Sequence, residues 1–304
     1  MSRRESIDAA RLIGREFGNV VLVRELGRGA MGAVYVGYQK SLRRQVAVKL
    51  LPKADAATES SRQQFRDEAE TVAILSHPNI VPIFEIGEDA EFHYHVMQLV
   101  QGADLGRLIA NRRKHPVPGK RLLPPALVVE ILASVLDALG YAHGEGVVHQ
   151  DIKPANIVIE EATRRPLLVD FGIARTARAE FWAEGMMVGT VRYAAPEQAA
   201  GRETDARCDI YSTGLVLFEA LAGGLPLRDA DDNRKLLARK VRQPETLLER
   251  PPSATSPHID QRMERIILRA IAPDPRDRFR NCAEFRQILG DWIPPQTAVG
   301  DSTR

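Results

Sequence analysis

The sequence predicts an α+β fold in two unequal parts: a small antiparallel sheet with one main helix up to about residue 100, and a larger, mainly helical part beyond. Three observations lead there. Short runs rich in β-branched and apolar residues, separated by turn residues, recur through the first hundred positions. One segment among them, 59–75, switches to helical spacing. After Gly102 long amphipathic stretches take over, the stretch 127–143 running over four turns.

The elements follow in order. Residues 1–16 read as a polar leader with room for a short helix. Residues 17–26 have strand composition, a glycine-rich turn follows at 27–32, and 33–38 and 45–51 continue the pattern as hairpins. In 59–75, Phe65, Ala69, Val72 and Ala73 recur at helical spacing with charges on the other face, and Pro78 stands just beyond, where prolines often end a helix. Residues 80–87 and 93–100 read as two more strands. Past Gly102, the runs at 147–148, 157–159 and 167–169 are strand-like, while 207–221, 262–271 and 282–289 read as helices. Residues 111–125 are rich in proline, glycine and basic side chains, as an exposed loop would be. The tail, 294–304, reads as flexible.

Composition narrows the function classes. A chain of 304 residues with 44% hydrophobic and 27% charged residues is globular, not disordered, collagen-like or a disulfide-rich miniprotein. Lys+Arg (42) nearly balances Asp+Glu (40), which argues against a nucleic-acid or membrane-surface partner. Cys208 and Cys282 lack metal-ligand spacing and read as reduced thiols. The apolar stretch 127–142 contains Glu130 and Asp137, and 214–227 contains Glu219 and is short, so no membrane segment is expected. The basic start, Met1-Ser2-Arg3-Arg4, is not followed by an apolar run, and a cytoplasmic location is expected.

Four motifs carry chemistry. Gly27-Arg28-Gly29-Ala30-Met31-Gly32 is a weak signal alone, but strand signals on both sides suit a flap whose backbone N–H groups approach phosphates. Val46-Ala47-Val48-Lys49 ends an apolar strand on a lysine. That lysine is either simply exposed or paired, and Glu68 on the following helix is a candidate partner. His149-Gln150-Asp151-Ile152-Lys153-Pro154-Ala155-Asn156 and Asp170-Phe171-Gly172 each follow a short apolar run. They supply acids, an amide and a lysine. Asp170 and Asn156 suit Mg²⁺, which takes carboxylate, amide and phosphate oxygens. Asp151 remains free to orient a hydroxyl, and Lys153 to neutralise a phosphoryl group. A lone Asp-Phe-Gly is a common turn; the ordered set is far more specific.

Together with Ala195-Pro196-Glu197, Asp209 in Cys-Asp-Ile-Tyr-Ser-Thr-Gly, and Arg278 in Pro-Arg-Asp-Arg-Phe, these motifs resemble the eukaryotic-type protein Ser/Thr kinase family. The likeness spans residue 17 to about 290, and His77-Pro78-Asn79-Ile80-Val81 and Pro196-Glu197-Gln198 look similar to its bacterial branch. The resemblance implies a bilobal protein kinase fold: an N-lobe over 17–100, a C-lobe over 101–293, a leader at 1–16 and a tail at 294–304. It implies ATP and Mg²⁺ (or Mn²⁺) as cofactors, and protein substrates as partners, with a homodimer as a further candidate and no nucleic acid.

Residue by residue, the resemblance implies that Gly27, Gly29 and Gly32 cover the ATP phosphates while Val34 and Ala47 flank the adenine. Lys49 would hold the phosphates and pair with Glu68. Met97 falls at the gatekeeper position, Gln98 to Val100 form the hinge, and Asp104 reaches toward the ribose. Asp151 would be the catalytic base with Lys153 beside it, and Asn156 and Asp170 the metal ligands. Thr190 would stand near the catalytic aspartate. Glu197 and Arg278 would form a structural ion pair, and Asp209 would anchor the catalytic loop.

Three departures stand out. Gln150 replaces the usual arginine of His-Arg-Asp, Gln98 replaces a common glutamate, and Leu227 a frequent phenylalanine. The first carries an expectation. The arginine of relatives pairs with a loop phosphate, which neutral Gln150 cannot do. Between Asp170 and Glu197 the hydroxyl residues are Thr176, Thr190 and Tyr193, while 177–189 has none and holds Phe181, Trp182, Met186 and Met187. Activity independent of activation-loop phosphorylation follows. A nucleotide-binding scaffold without turnover is the alternative, although Lys49, Asp151 and Asp170 are all present. A small-molecule kinase is a third reading, against which Gly189-Thr190 and Ala195-Pro196-Glu197 argue.

Overall fold

The computed structural model describes residues 9–29, 32–53, 74–171 and 191–293. Its first part is a six-stranded antiparallel sheet in the order β1-β2-β3-β4-β6-β5. The strands are β1 (Glu16–Phe17), β2 (Val20–Gly29), β3 (Gly32–Gln39), β4 (Arg44–Pro52), β5 (Ile83–Glu88) and β6 (Phe92–Gln98). Alternation along each strand sends Val20, Leu22, Tyr35, Val46, Val48, Leu50 and Val96 into one apolar cluster. Phe17 packs edge-on against Phe92 and Tyr94, with ring centroids 6.0 and 5.5 Å away.

The residues just before β1 are docked on this sheet. They include a short helix, α1 (Ala9–Leu12), whose Leu12 is buried in the same cluster. Arg15 pairs with Asp89 at 2.6 Å and Glu91 at 2.5 Å, and its guanidinium lies over the Phe17 and Phe92 rings. The helix expected at 59–75 lies outside the described residues, apart from its last two positions.

The second part is mainly helical. Its elements are β7 (Gly102–Asp104), α2 (Leu105–Arg113), α3 (Pro125–Gly144), β8 (Ile157–Glu160), β9 (Pro166–Leu168), α4 (Pro196–Ala199), α5 (Arg207–Ala222), α6 (Asn233–Arg242), α7 (Gln261–Ala270) and α8 (Cys282–Gly290). The strands β7, β8 and β9 form a small antiparallel sheet of their own. Helix α5 is almost wholly buried and packs between α3 and α7. The architecture is thus the α+β, two-lobed one that the sequence implied.

By length and composition the segment Pro118–Gly144 is apolar enough to cross a membrane. Here Val128, Ile131, Leu132, Val135, Leu136, Ala138, Leu139 and Ala142 of α3 are spent on the core of the large lobe. Truncating one such leucine to alanine typically costs about 2–5 kcal/mol.

Several elements differ from the sequence reading. The loop placed at 111–125 is shorter, because α2 continues to Arg113, a 3-10 turn forms at Pro118–Lys120, and Leu123 is buried. Residues 147–148 are not a strand. Helices α2 and α6 escaped notice because they carry basic residues on most faces; only Leu105 and Ile109 in α2, and Leu236 and Lys240 in α6, are buried. Aspartate caps start both: Asp104 accepts from the N–H of Arg107, and Asp232 from those of Arg234 and Lys235.

Candidate active site

The site is built where the sheet meets the helical lobe. Ala47 on β4, Met97 on β6, Val81 and Leu167 form a small buried apolar cluster, against which Val34, Leu99, Val100 and Val169 pack. Two crossings tie the lobes here: the Val81 N–H donates to the Leu168 carbonyl at 3.0 Å, and the Leu168 N–H to the Asn79 carbonyl at 2.8 Å. Gln98 closes β6 opposite Val46, and its N–H donates to the Pro82 carbonyl. Asp104 caps α2 just beyond.

The glycines lie on the paired ends of β2 and β3, with Gly27 opposite Val34 and Gly29 opposite Gly32. Residues 30 and 31 are outside the described set. Gly32 has φ +153°, and a Cβ there would meet the Leu50 carbonyl oxygen at 2.1 Å, so only glycine fits.

Lys49 sits on β4 opposite Val34 and His95. Its ammonium donates to Asp170 Oδ1 at 2.7 Å. Burial pushes the Asp170 carboxyl up, but the charge and hydrogen bond of Lys49 outweigh it and hold the group below the usual carboxylate range. His95, buried beside this pair, is pushed down to about 3 by burial first and Lys49 second, so its imidazole is neutral. Glu68, the partner expected for Lys49, lies outside the described residues, as does Thr190.

The loop that carries Asp151 is anchored from below. Asp209 on α5, fully buried, accepts from the backbone N–H of His149 at 2.8 Å and of Gln150 at 2.7 Å, and lies 2.8 Å from His143 Nε2. Burial opposes its ionisation, yet these hydrogen bonds hold its carboxyl below the ordinary range. Gln150 and Asp170 both take left-handed backbone angles, φ +62° and +59°. Such a conformation costs about 1–3 kcal/mol per residue and persists where surrounding bonds over-determine it.

Above that anchor the polar groups touch in series. Lys153 Nζ donates to Asp151 Oδ2 at 2.9 Å. Asn156 Nδ2 donates to the Asp151 carbonyl at 2.8 Å and to Asp151 Oδ2 at 3.1 Å. The Asn156 carbonyl accepts from the Val169 N–H at 3.0 Å, one residue before Asp170. Lys153 also contributes to the positive field at Asp170. Lys49, Asp170, Lys153, Asp151 and Asn156 therefore form one cluster.

Further down, Arg278 and Glu197 form a buried bidentate pair at 2.6 and 2.8 Å. Beside Lys153 the helical lobe opens into a pocket of about 750 Å³ whose lining includes Gly106, Pro154, Arg192, Tyr193 and Glu219. The Tyr193 hydroxyl donates to Glu219 at 2.5 Å, and burial pushes both groups' pKa up.

Sequence reasoning missed Val81, Leu167 and Val169 of the apolar cluster and, Lys153 apart, the lining of the pocket. For Leu167 and Val169 the signal was present: they immediately precede Asp170. For Glu219 there was none, since a lone glutamate in an apolar helix resembles a surface residue.

Comparison with known proteins places this geometry. A protein kinase domain model matches residues 20–291. The chain is 38% identical over 283 residues to serine/threonine-protein kinase Pkn1 of Myxococcus xanthus, which covers 91% of this chain and 39% of that protein. It is 35% identical over 282 residues to serine/threonine-protein kinase PknF of Mycobacterium tuberculosis, covering 91% of this chain and 57% of that protein. The chain thus spans well under two thirds of these curated relatives. The crystal structure of the Mycobacterium tuberculosis PknI kinase domain superposes with a TM-score of 0.72 at 33% identity, covering 91% of this chain and 98% of that one.

Proposed function

The chain belongs to the protein kinase domain family and aligns with bacterial members, and on that premise we propose that it transfers the γ-phosphoryl group of ATP to Ser and Thr hydroxyls of proteins. The observation that carries the reading is the single cluster of Lys49, Asp170, Lys153, Asp151 and Asn156 beside the apolar cluster of Ala47 and Met97.

The apolar cluster offers Val34, Ala47 and Met97 as neighbours for adenine, with the backbone of Gln98 to Val100 at its edge and Asp104 at the ribose end. Gly27, Gly29 and Gly32 cover the phosphates, and Lys49 holds them. Phosphoryl transfer needs little covalent help from the protein, so placement and charge supply most of the catalysis. The acceptor oxygen bonds to the γ-phosphorus as the bridging bond to ADP breaks, and the hydroxyl proton passes to Asp151. Lys153, 2.9 Å from Asp151, neutralises charge on the moving group. Thr190 and the Lys49–Glu68 pair complete the assignment.

The donor set fits a hard cation. Asp170 is held ionised, and the Asn156 amide nitrogen is engaged with Asp151, which leaves its oxygen as the available ligand. No group of three or more His, Cys, Asp or Glu placed to hold a metal ion occurs among the described residues, but Mg²⁺ bound with phosphates needs only one or two carboxylates. Asn156 and Asp170 would hold Mg²⁺ (or Mn²⁺), which neutralises phosphate charge when bound. Glu197 with Arg278, and Asp209, serve as structural supports.

We also propose that activity does not depend on activation-loop phosphorylation. Gln150, neutral, is tied in by a carboxylate and a side-chain amide rather than by a phosphate: its N–H binds Asp209, and its carbonyl accepts from Gln198 Nε2 at 3.1 Å. Gln198 Oε1 in turn accepts from the Ala195 N–H at 3.0 Å. This carries order from the Asp151 loop to the segment beyond Thr190. The lobes are divided as 17–100 and 101–293, in a cytoplasmic domain with protein substrates as partners and a homodimer as a further arrangement. The deciding experiment incubates the purified chain with radiolabelled ATP, Mg²⁺ and a Ser/Thr peptide array, with Asp151→Asn as control. Label on Ser or Thr that vanishes in the variant is expected; equal labelling by both proteins would overturn the reading.

A further inference from the structure

Taking the chain as a protein kinase, as proposed above, we infer that Lys240 is a positioning residue for the protein acceptor: it fixes the backbone of residues 192–194, one wall of the pocket beside Lys153, and leaves nucleotide binding alone. Lys240 lies in the last turn of α6 and is fully buried. Its Nζ donates to the Arg192 carbonyl at 2.9 Å and the Ala194 carbonyl at 2.7 Å. The carbonyl between them, that of Tyr193, accepts from Ser212 Oγ on α5 at 2.8 Å. Three successive carbonyls of this segment therefore end on side chains from two different helices. Arg192 and Tyr193 line the pocket together with Lys153, whereas Lys240 stands behind them and does not. Its influence on an acceptor has to pass through the segment it holds.

A buried ammonium without a carboxylate is an expensive choice. Among the described residues no carboxylate lies within ion-pair distance of Lys240. Its surroundings are the two carbonyls and the face of Tyr211, whose ring centroid is 5.2 Å away. The same ring carries the Arg278 guanidinium at 4.8 Å. The charged groups that face Lys240 are Glu197 from α4, which favours the ammonium, and Arg278, which disfavours it; Tyr211 from α5 is held neutral by burial. Glu197 is thus bound by Arg278 and reaches Lys240 only through its charge. Burial first, and Arg278 against the pull of Glu197, bring the Lys240 pKa down to about 7. An apolar side chain of equal length would fill the space more cheaply but leave the 192 and 194 carbonyls without this donor. Below that pKa the two bonds are charge-assisted; above it the amine still donates, but more weakly.

The test measures KM for ATP and for one acceptor peptide, chosen from a Ser/Thr array, in wild type and in Lys240→Met, which is close in shape and has no donor. The acceptor KM should rise about 10-fold or more, since small misplacements of a reacting group cost up to ~100-fold, while the ATP KM stays within about 2-fold. Wild-type acceptor KM should climb between about pH 6 and pH 8.5, as the ammonium titrates near 7, and that climb should be missing in Lys240→Met. Ser212→Ala, which removes the donor to the middle carbonyl, should also raise the acceptor KM selectively. If Lys240→Met does not fold, the wild-type pH series and Ser212→Ala still decide. Parallel changes in the two KM values, or a flat wild-type acceptor KM across that range, would overturn the inference. A wild type that labels no peptide at all would instead remove the kinase reading on which it rests.

Discussion

Replacing Arg278 with alanine should be among the most damaging single changes in the large lobe. All five N–H groups of its guanidinium are engaged. Nη1 and Nη2 bind the two Glu197 oxygens at 2.6 and 2.8 Å, Nε binds the Ala272 carbonyl at 2.8 Å, and the remaining two bind the Arg207 and Pro273 carbonyls at 3.0 Å each. The Arg278 side chain is 0% exposed and that of Glu197 9%. Truncation leaves a buried carboxylate unpaired and three carbonyls without their donor. Breaking a buried pair from one side costs about 3–5 kcal/mol. For a domain of this size each kcal/mol moves the melting temperature by about 2–4 °C, so a fall of about 6–20 °C is expected. Arg278→Lys keeps the charge but offers three donors to five contacts, and should fall between. Arg112→Ala, half-exposed at the end of α2, should stay within about 0.5 kcal/mol of wild type. Thermal melts followed by circular dichroism compare them. Removing Glu197 as well should recover part of the loss, because the unpaired charge goes with it. Equal melting temperatures for Arg278→Ala and Arg112→Ala, or strictly additive costs in the double variant, would refute the reasoning.

Lys49→Ala should lower phosphoryl transfer by about 100-fold or more without unfolding the chain, since it removes the group that places the phosphates; near wild-type turnover in a folded variant would count against the assignment. Asp170→Asn should abolish Mg²⁺-dependent activity, because an amide is a poorer ligand for a hard cation, as titration of rate against Mg²⁺ would show. Asp209→Asn should cost about 1.5–3 kcal/mol at pH 7 by urea unfolding, the worth of a charge-assisted hydrogen bond. The sign with pH follows from the depressed carboxyl of Asp209. Its stabilisation is present above the unfolded value of 3.8 and lost as pH falls through the lower folded value, so the gap to Asp209→Asn should narrow in acid. A pH-independent gap would contradict that. Full dephosphorylation of the wild type should leave its initial rate on an added peptide within about 2-fold, whereas a long lag would refute loop independence.

The β-branched, apolar composition of 33–38 and 45–51 and the helical period of 127–143, 207–221 and 262–271 were legible because each depends only on neighbours in the chain. The polar residues of the site were legible too, since Asp151, Lys153 and Asn156 lie within one short loop and Lys49 and Asp170 each end an apolar run. Helices α2 and α6 were not, because a basic helix that buries two side chains has almost no apolar stripe to read. The resemblance already implied the Glu197–Arg278 pair and the anchoring role of Asp209; the tertiary structure alone supplied their backbone partners and the role of Lys240. Asp209 meets backbone N–H groups 59 and 60 positions away. Arg278 meets Glu197 81 positions away, and Lys240 meets carbonyls 46 and 48 positions away. A carbonyl has the same chemistry in every residue, so no residue type in the sequence marks it as a partner. Burial makes each of those three charges costly, and only folding brings up the partners that offset the cost and make them supports of a site.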